Sequence, residues 1–388
     1  MEIQGIVDAR FEPVRAAFAE NFTSRGELGA AITVIADGRT VVDLWGGLAD
    51  KATRRPWAAD TMAIIFSCTK AATALCAHIL VARGRLDLDA PVARYWPEFA
   101  QADKERIPVR MLLNHQAALP AIDVPLPAEA MLDWQQMTRA LAAQAPHWEP
   151  GTAHGYHAMT FGWLVGEVVR RASGKSVGTF FREQIAGPLG LDFWIGLPAA
   201  LEPRVAIERM PPIQNETTPL LRAILDRGSL VSKAFTNPPG LLTARQVNAR
   251  ALHAAEVPAA NGMATARGLA GMYAPLACGG RRNGVELLDR DVLRAASTVE
   301  SEGDDRILLL PTRFASGFMK SIDNRPGDSL ILGPNPEAFG HGGAGGSIGM
   351  ADPVARVAIG YVMNQMGAGV LLNARGQAVI DAVYESLC

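Results

Sequence analysis

The chain has 388 residues, 49% of them hydrophobic and 20% charged, which is enough mass for one large enzyme domain with an inserted lobe. Its 38 glycines and 25 prolines fall well short of a low-complexity composition, so disorder, collagen and coiled coil are excluded. Thirty-seven basic against 39 acidic side chains leave a net charge of −2. No global field exists to hold phosphate backbones, and nucleic acid is not an expected partner.

The opening residues 1–18 carry acids and lack the apolar run of about 7–15 residues found in a secretory leader. No stretch approaches the roughly 18 apolar residues that read as a membrane span, so no membrane partner is expected. Phe11, Val14 and Phe18 fall on one stripe and predict an amphipathic helix near residues 8–20. Residues 30–47 then form two β-branched runs around Asp37-Gly38, a pair that favours the tight turn of a β-hairpin. Near the other end, residues 314–321, 337–352 and 355–365 read as three more strands, with Asp352-Pro353 as a turn. Leu371, Leu372, Val379, Ile380, Val383 and Leu387 close the chain at helical spacing.

These ends combine most simply as an α/β fold of the α+β type, an antiparallel sheet flanked by the terminal helices. The expected organisation is a single unit of residues 1–388. Its sheet region is 1–66 plus 300–388, and 67–299 is a mainly helical lobe. Within the lobe, 202–240 is rich in proline and mixed in polarity, an irregular excursion of the kind that often borders a substrate site. The four cysteines, Cys68, Cys76, Cys278 and Cys388, contain no C-x-x-C pair and are too few for a disulfide framework. A cytoplasmic protein is expected.

The segment from Thr61 to Gly84 carries the most chemistry. An apolar run ends at Phe66, and residues 71–82 are almost entirely apolar, as in a helix buried on all sides. Ser67 and Lys70 stand at its mouth, three apart and on one face of the first turn. Two readings are open. Ser67 is a helix cap and Lys70 a solvated first-turn residue; or the hydroxyl is a nucleophile, aided by the helix dipole and free N–H groups, and a desolvated amine takes its proton. A second candidate nucleophile is Ser347, in a G-x-S-x-G run at 345–349, but that elbow needs a following helix and a downstream histidine, and none follows His341. His147, His154 and His157 cluster without a partnering acid at helical interval, so no metal is expected. His154 and His157 are candidate polar wall residues.

Three ordered boxes add to this reading: Ser67-Cys68-Thr69-Lys70; Trp148-x-Pro150-Gly151 followed by Tyr156; and His341-Gly342-Gly343. Together they resemble the serine β-lactamase and penicillin-recognising superfamily, with a pattern similar to class C β-lactamases and family VIII carboxylesterases. Leu112-Leu113-Asn114-His115, Pro188-Leu189-Gly190-Leu191 and Gly262-Met263-Ala264-Thr265-Ala266 match in the same order, leaving about 200–240 unmatched. The resemblance implies a β-lactamase-like fold and no cofactor. It implies Ser67 as the acylated residue, Lys70 and Tyr156 sharing its proton, and the backbone N–H groups of Ser67 and Ala344 as the oxyanion hole. His341, Gly342 and Gly343 would line the substrate. Three departures stand out: Ala158 where β-lactamases carry an asparagine, His341 where they carry a lysine, and Gln116-Ala117-Ala118 after His115. The first two remove grips on a β-lactam. The expectation is a carboxylesterase acting on a small-molecule ester. An acyltransferase, a weak β-lactamase or DD-peptidase, and a non-catalytic scaffold are the alternatives.

Overall fold

The computed structural model describes residues 2–211, 218–241, 243–367 and 369–387. Its centre is one antiparallel sheet. The N-terminal part supplies β1 (Ile3–Val7), α1 (Glu12–Ser24), β2 (Gly29–Ala36) and β3 (Arg39–Asp50). The C-terminal part supplies β4 (Ser301–Asp304), β5 (Pro311–Phe314), β6 (Met319–Lys320), β7 (Phe339–Gly342), β8 (Ile348–Asp352) and β9 (Val357–Met363). The strand order is β1-β3-β2-β9-β8-β7-β6-β5-β4, with the short Arg55–Pro56 strand added to β3. Every neighbouring pair is antiparallel, and the two ends of the chain join where β2 meets β9, Ile32 opposite Tyr361 and Val34 opposite Ile359.

The period-two rule explains why β2 is buried along its whole length. Ile32, Val34, Ile359 and Tyr361 face one way, onto Phe11, Val14 and Phe18 at the N-terminus and onto Val379, Ile380 and Val383 of the closing helix. Ala31, Ile35, Ala358 and Val362 face the other way, into a core with Leu269, Met272 and Tyr273. The helices involved are α2 (Cys68–Ala82), α3 (Thr160–Ser173) and α4 (Ala266–Ala277) in the lobe, and α5 (Ala374–Leu387) at the end. Helix α2 is mostly apolar because neighbours cover every side of it: all residues from Cys68 to Leu80 are buried, Lys70 and His78 among them.

The sequence reading differs from the structure in places. The first helix runs 12–24 after a short 3-10 turn, and β1 precedes it unannounced. Residues 314–321 are two strands, because Gly317 at φ +82° turns the chain back and Ala315 N–H donates to the Phe318 carbonyl (2.8 Å). Residues 337–352 likewise hold two strands, β7 and β8. Leu371 and Leu372 precede α5 instead of belonging to it. In the stretch 202–240, the described residues include helices at Pro219–Leu225 and Leu230–Thr236, each with its first N–H groups capped by a hydroxyl, Thr218 and Ser229. Residues 212–217 of that stretch lie outside the described ones.

Candidate active site

Ser67 sits at the entrance of α2, between a strained residue and a buried helix. Phe66 adopts φ +43°, a left-handed conformation that is costly for a side chain of this size. The turn it makes lets the helix begin with Cys68 N–H on the Ile65 carbonyl, Thr69 N–H on that of Phe66 and Lys70 N–H on that of Ser67 (3.1, 2.9 and 3.0 Å). This narrows the expectation of free N–H groups at the helix mouth: the donors of Cys68, Thr69 and Lys70 are taken, and that of Ser67 is not given to a backbone carbonyl among the described residues. The Ser67 hydroxyl makes no capping bond. It is directed to side chains instead, accepting from Lys70 Nζ (3.1 Å) and lying near enough to the Tyr156 hydroxyl to lower its pKa against the larger effect of burial. Ser67 is also the one partly exposed residue between Thr61 and Leu80.

Lys70 is fully buried, so the solvated first-turn reading does not hold. Its Nζ donates to the carbonyls of Ala158 (2.7 Å) and Ala259 (3.0 Å), and burial holds its pKa well below the ordinary lysine range. A neutral amine has two N–H bonds and one lone pair. As an ammonium, Nζ donates to Ser67 Oγ as well (3.1 Å); in the neutral form, with both N–H groups kept on the carbonyls, its lone pair would face that hydroxyl. Tyr156 is 6% exposed, and burial raises the pKa of its phenol, so it keeps its proton. The phenol as a base beside a charged lysine, the arrangement weighed from sequence, is therefore disfavoured at both groups. The Lys70 Nζ lies 4.8 Å from the centre of the Tyr156 ring.

Tyr156 is placed by a buried carboxylate that the sequence did not single out. Asp305 Oδ1 accepts from the backbone N–H groups of Tyr156 (3.0 Å), Ile307 (2.8 Å) and Leu308 (2.8 Å). Around it, His154 Nε2 lies 2.8 Å from the Thr312 hydroxyl. His157 is fully buried: its Nδ1 donates to the Gly155 carbonyl (2.8 Å) and its Nε2 accepts from Leu119 N–H (3.1 Å), so it is structural scaffolding. His115 Nδ1 accepts from His157 N–H, and its ring packs 5.0 Å from that of Tyr156. Burial pushes His157 down to about 3 and His115 well below its usual value. Among the described residues no three His, Cys, Asp or Glu side chains converge as a metal would need.

Strand β7 brings the third box alongside α2. The His341 carbonyl accepts from Cys68 Sγ (3.0 Å), and a Cβ on Gly343 would stand 2.4 Å from the Ile65 carbonyl oxygen, so only glycine permits this approach. His341 Nδ1 donates to the Gly342 carbonyl (2.7 Å), leaving Nε2 as a bare acceptor, and burial pushes its pKa down to about 3. His341 brings no positive charge. Its ring centre is 6.2 Å from that of Tyr156. Ala344 follows in a tight turn, and among the described residues neither its amide nor that of Ser67 donates to a backbone carbonyl. Ser347 is fully buried, with its own carbonyl accepting from Gly343 N–H (2.7 Å), and it begins a strand and not a helix.

The comparisons with known proteins agree on one family. A family model described as Beta-lactamase matches residues 13–384. The esterase/beta-lactamase LipL of Mycobacterium tuberculosis is 38% identical over 370 residues, covering 93% of this chain and 83% of that protein. Among solved structures, a family VIII carboxylesterase is 40% identical with a TM-score of 0.90, both chains being covered in full. A penicillin-binding protein homologue from Caulobacter crescentus is 39% identical with a TM-score of 0.89, again with full coverage. With its ordered boxes meeting around one serine on a shared fold, the chain belongs to the β-lactamase family of serine hydrolases.

Proposed function

We propose that the chain is a carboxylesterase that hydrolyses small acyl esters through an acyl-enzyme on Ser67. The observation that carries this reading is the placement of Lys70 Nζ, fully buried and within hydrogen-bonding distance of Ser67 Oγ, Ala158 O and Ala259 O, so that in its neutral form, with two N–H groups on the carbonyls, its lone pair meets the Ser67 hydroxyl. Ser67 Oγ attacks the ester carbonyl as its proton passes to Lys70 Nζ. The oxyanion lies between the N–H groups of Ser67 and Ala344, a kind of contact that is typically the largest single contribution to such catalysis. The Tyr156 hydroxyl gives its proton to the departing alkoxide and regains one from the Lys70 ammonium. Water repeats the steps in reverse to release the acid, with Lys70 again the acceptor.

The charge of the site supports an ester over a β-lactam. His115, His157 and His341 are neutral, and Lys70 is held toward its neutral form, so no fixed cation faces a substrate carboxylate. Ala158 offers its carbonyl to Lys70 and has no side-chain amide to donate to an acylamide. The similar solved structure named as a family VIII carboxylesterase points the same way, while LipL carries both an esterase and a beta-lactamase name. Residues 1–66 plus 300–388 act with the 67–299 lobe as one unit, because Ser67, Tyr156 and His341 come from both. A reducing cytoplasm suits Cys68, Cys76 and Cys278, none of which is bridged. The test is kcat/KM for p-nitrophenyl butyrate and for nitrocefin on one preparation. The ester is expected to be faster by about a hundredfold, from about 1.5–3 kcal/mol for the missing cation and about 0.5–1.5 kcal/mol for the missing amide. Nitrocefin turnover equal to the ester's refutes the esterase reading.

A further inference from the structure

We propose that Asn373 and Arg375 are positioning residues for catalysis: from the start of α5 they grip the Gly345 carbonyl and so fix the direction of the Ala344 N–H. This rests on Ala344 as an oxyanion donor. The turn after β7 is closed by backbone bonds alone, Gly343 N–H to the Ser347 carbonyl (2.7 Å) at its base and one bond inside it. Gly345 and Gly346 sit at φ +89° and +125°, where glycine moves freely, and no side chain from either anchors the loop. Inside the turn, Gly346 N–H donates to the Gly343 carbonyl (3.0 Å). In a trans peptide the N–H points away from its own plane's C=O, so tying the Gly343 carbonyl inward turns the Ala344 N–H outward. That outward direction survives only while the turn keeps its shape.

The shape is held from outside at Gly345. Its carbonyl oxygen receives Gly367 N–H (2.8 Å), Asn373 Nδ2 (2.8 Å) and Arg375 Nη2 (3.1 Å), three donors on an atom with two lone pairs. Each side-chain donor is itself fixed. Asn373 Oδ1 accepts from Arg375 N–H (3.1 Å) and Gly376 N–H (3.2 Å), which orients its amide with Nδ2 toward Gly345. Arg375 is buried, donating to Glu27 Oε1 (3.0 Å) and to the Gln365 carbonyl (2.7 Å). A cation in the first turn opposes the helix dipole, so α5 gains nothing from an arginine there. The oxyanion turn does gain from it.

The experiment separates positioning from folding. Asn373→Asp keeps the oxygen that caps α5 and adds charge at the favoured helix end, while replacing the donor on Gly345 with an acceptor. Expected are an unchanged or higher Tm, a kcat for p-nitrophenyl butyrate lower by about 10–100-fold, and a KM within about threefold of wild type. Arg375→Lys, which retains charge for Glu27 but loses the planar fork, is expected to lie between. The readout specific to the oxyanion is the rate ratio of an oxoester to its thionoester, whose sulfur accepts hydrogen bonds poorly. Wild type should prefer the oxoester strongly, and both variants should lose that preference. A wild type with no preference refutes the oxyanion reading itself. A strong wild-type preference retained in both variants, whatever happens to kcat, overturns the clamp.

Discussion

Replacing Lys70 with methionine tests the assignment of the base, because it keeps an unbranched side chain of nearly the same length and removes the basic nitrogen. The amine is fully buried and meets Ser67 Oγ at 3.1 Å, Ala158 O at 2.7 Å and Ala259 O at 3.0 Å. General-base assistance is worth about 10²–10⁴-fold, so kcat for p-nitrophenyl butyrate should fall by that factor. The two abandoned carbonyls each cost about 1–3 kcal/mol, so the Tm is expected to drop and must be read beside the rate. Tyr156→Phe should also slow turnover by orders of magnitude. The double variant should be little worse than either single one, since a shared proton path is strongly non-additive. In wild type, activity should fall as pH drops through the lowered Lys70 pKa, and Lys70→Met should lose that limb. His157 and His341, both down to about 3, contribute no titration between pH 5 and 8. A Lys70→Met enzyme within tenfold of wild type, or losses that multiply in the double variant, would falsify the proton path drawn here.

A serine-directed fluorophosphonate should label Ser67 and leave Ser347 untouched, as read by peptide mass mapping; an adduct on the Ser347 peptide defeats the assignment, since that hydroxyl is fully buried. His341→Lys should raise nitrocefin kcat/KM by supplying a cation for the β-lactam carboxylate while lowering ester turnover, because a charge beside Lys70 alters the base; no change with nitrocefin shows the carboxylate argument to be wrong. Burial pushes the Glu27 carboxyl up to about 7 against the opposing pull of Arg375. A raised carboxyl binds more protons in the folded state, so its contribution is full below pH 4.5 and is lost as pH rises through about 7. Unfolding free energy should therefore fall as pH rises from 5 to 8, and Glu27→Gln should flatten that slope; an unchanged slope in denaturant titrations places the titration elsewhere.

What was legible in the sequence follows from where each signal is written. β2 and β9 are covered on both faces, so their apolar runs read plainly as strands. β1 lies at the sheet edge with its middle residues exposed and carries no alternation to detect. The helices at 219–225 and 230–236 were announced only by Thr218-Pro219 and Ser229, cap signals that the surrounding prolines obscured. Ser67 and Lys70 were visible because their spacing is local to one helix turn, and Tyr156 because of its flanking box. The acceptors that fix the lone pair of Lys70 are the backbone carbonyls of Ala158 and Ala259, which any residue type supplies. Asp305 acts on Tyr156 through backbone N–H groups across the fold, a contact no spacing encodes. The loss of an asparagine at Ala158 was read as a missing side chain; its carbonyl turns out to hold the lysine.

The pairing of β2 with β9 also sets when this protein becomes active. Val34 waits for Ile359, and the entrance of α2 at Ile65 waits for Gly343, so the sheet that supports the serine closes only once residues far apart in the sequence have met. Contacts of such long range are slow to form, because the loop between them must be closed before they return any stability. An incomplete chain carries Ser67 and Lys70 but neither the Ala344 amide nor the helix behind it. Ester turnover on refolding should therefore lag the recovery of helical signal, because it waits for β2 to meet β9 and for Gly343 to reach Ile65.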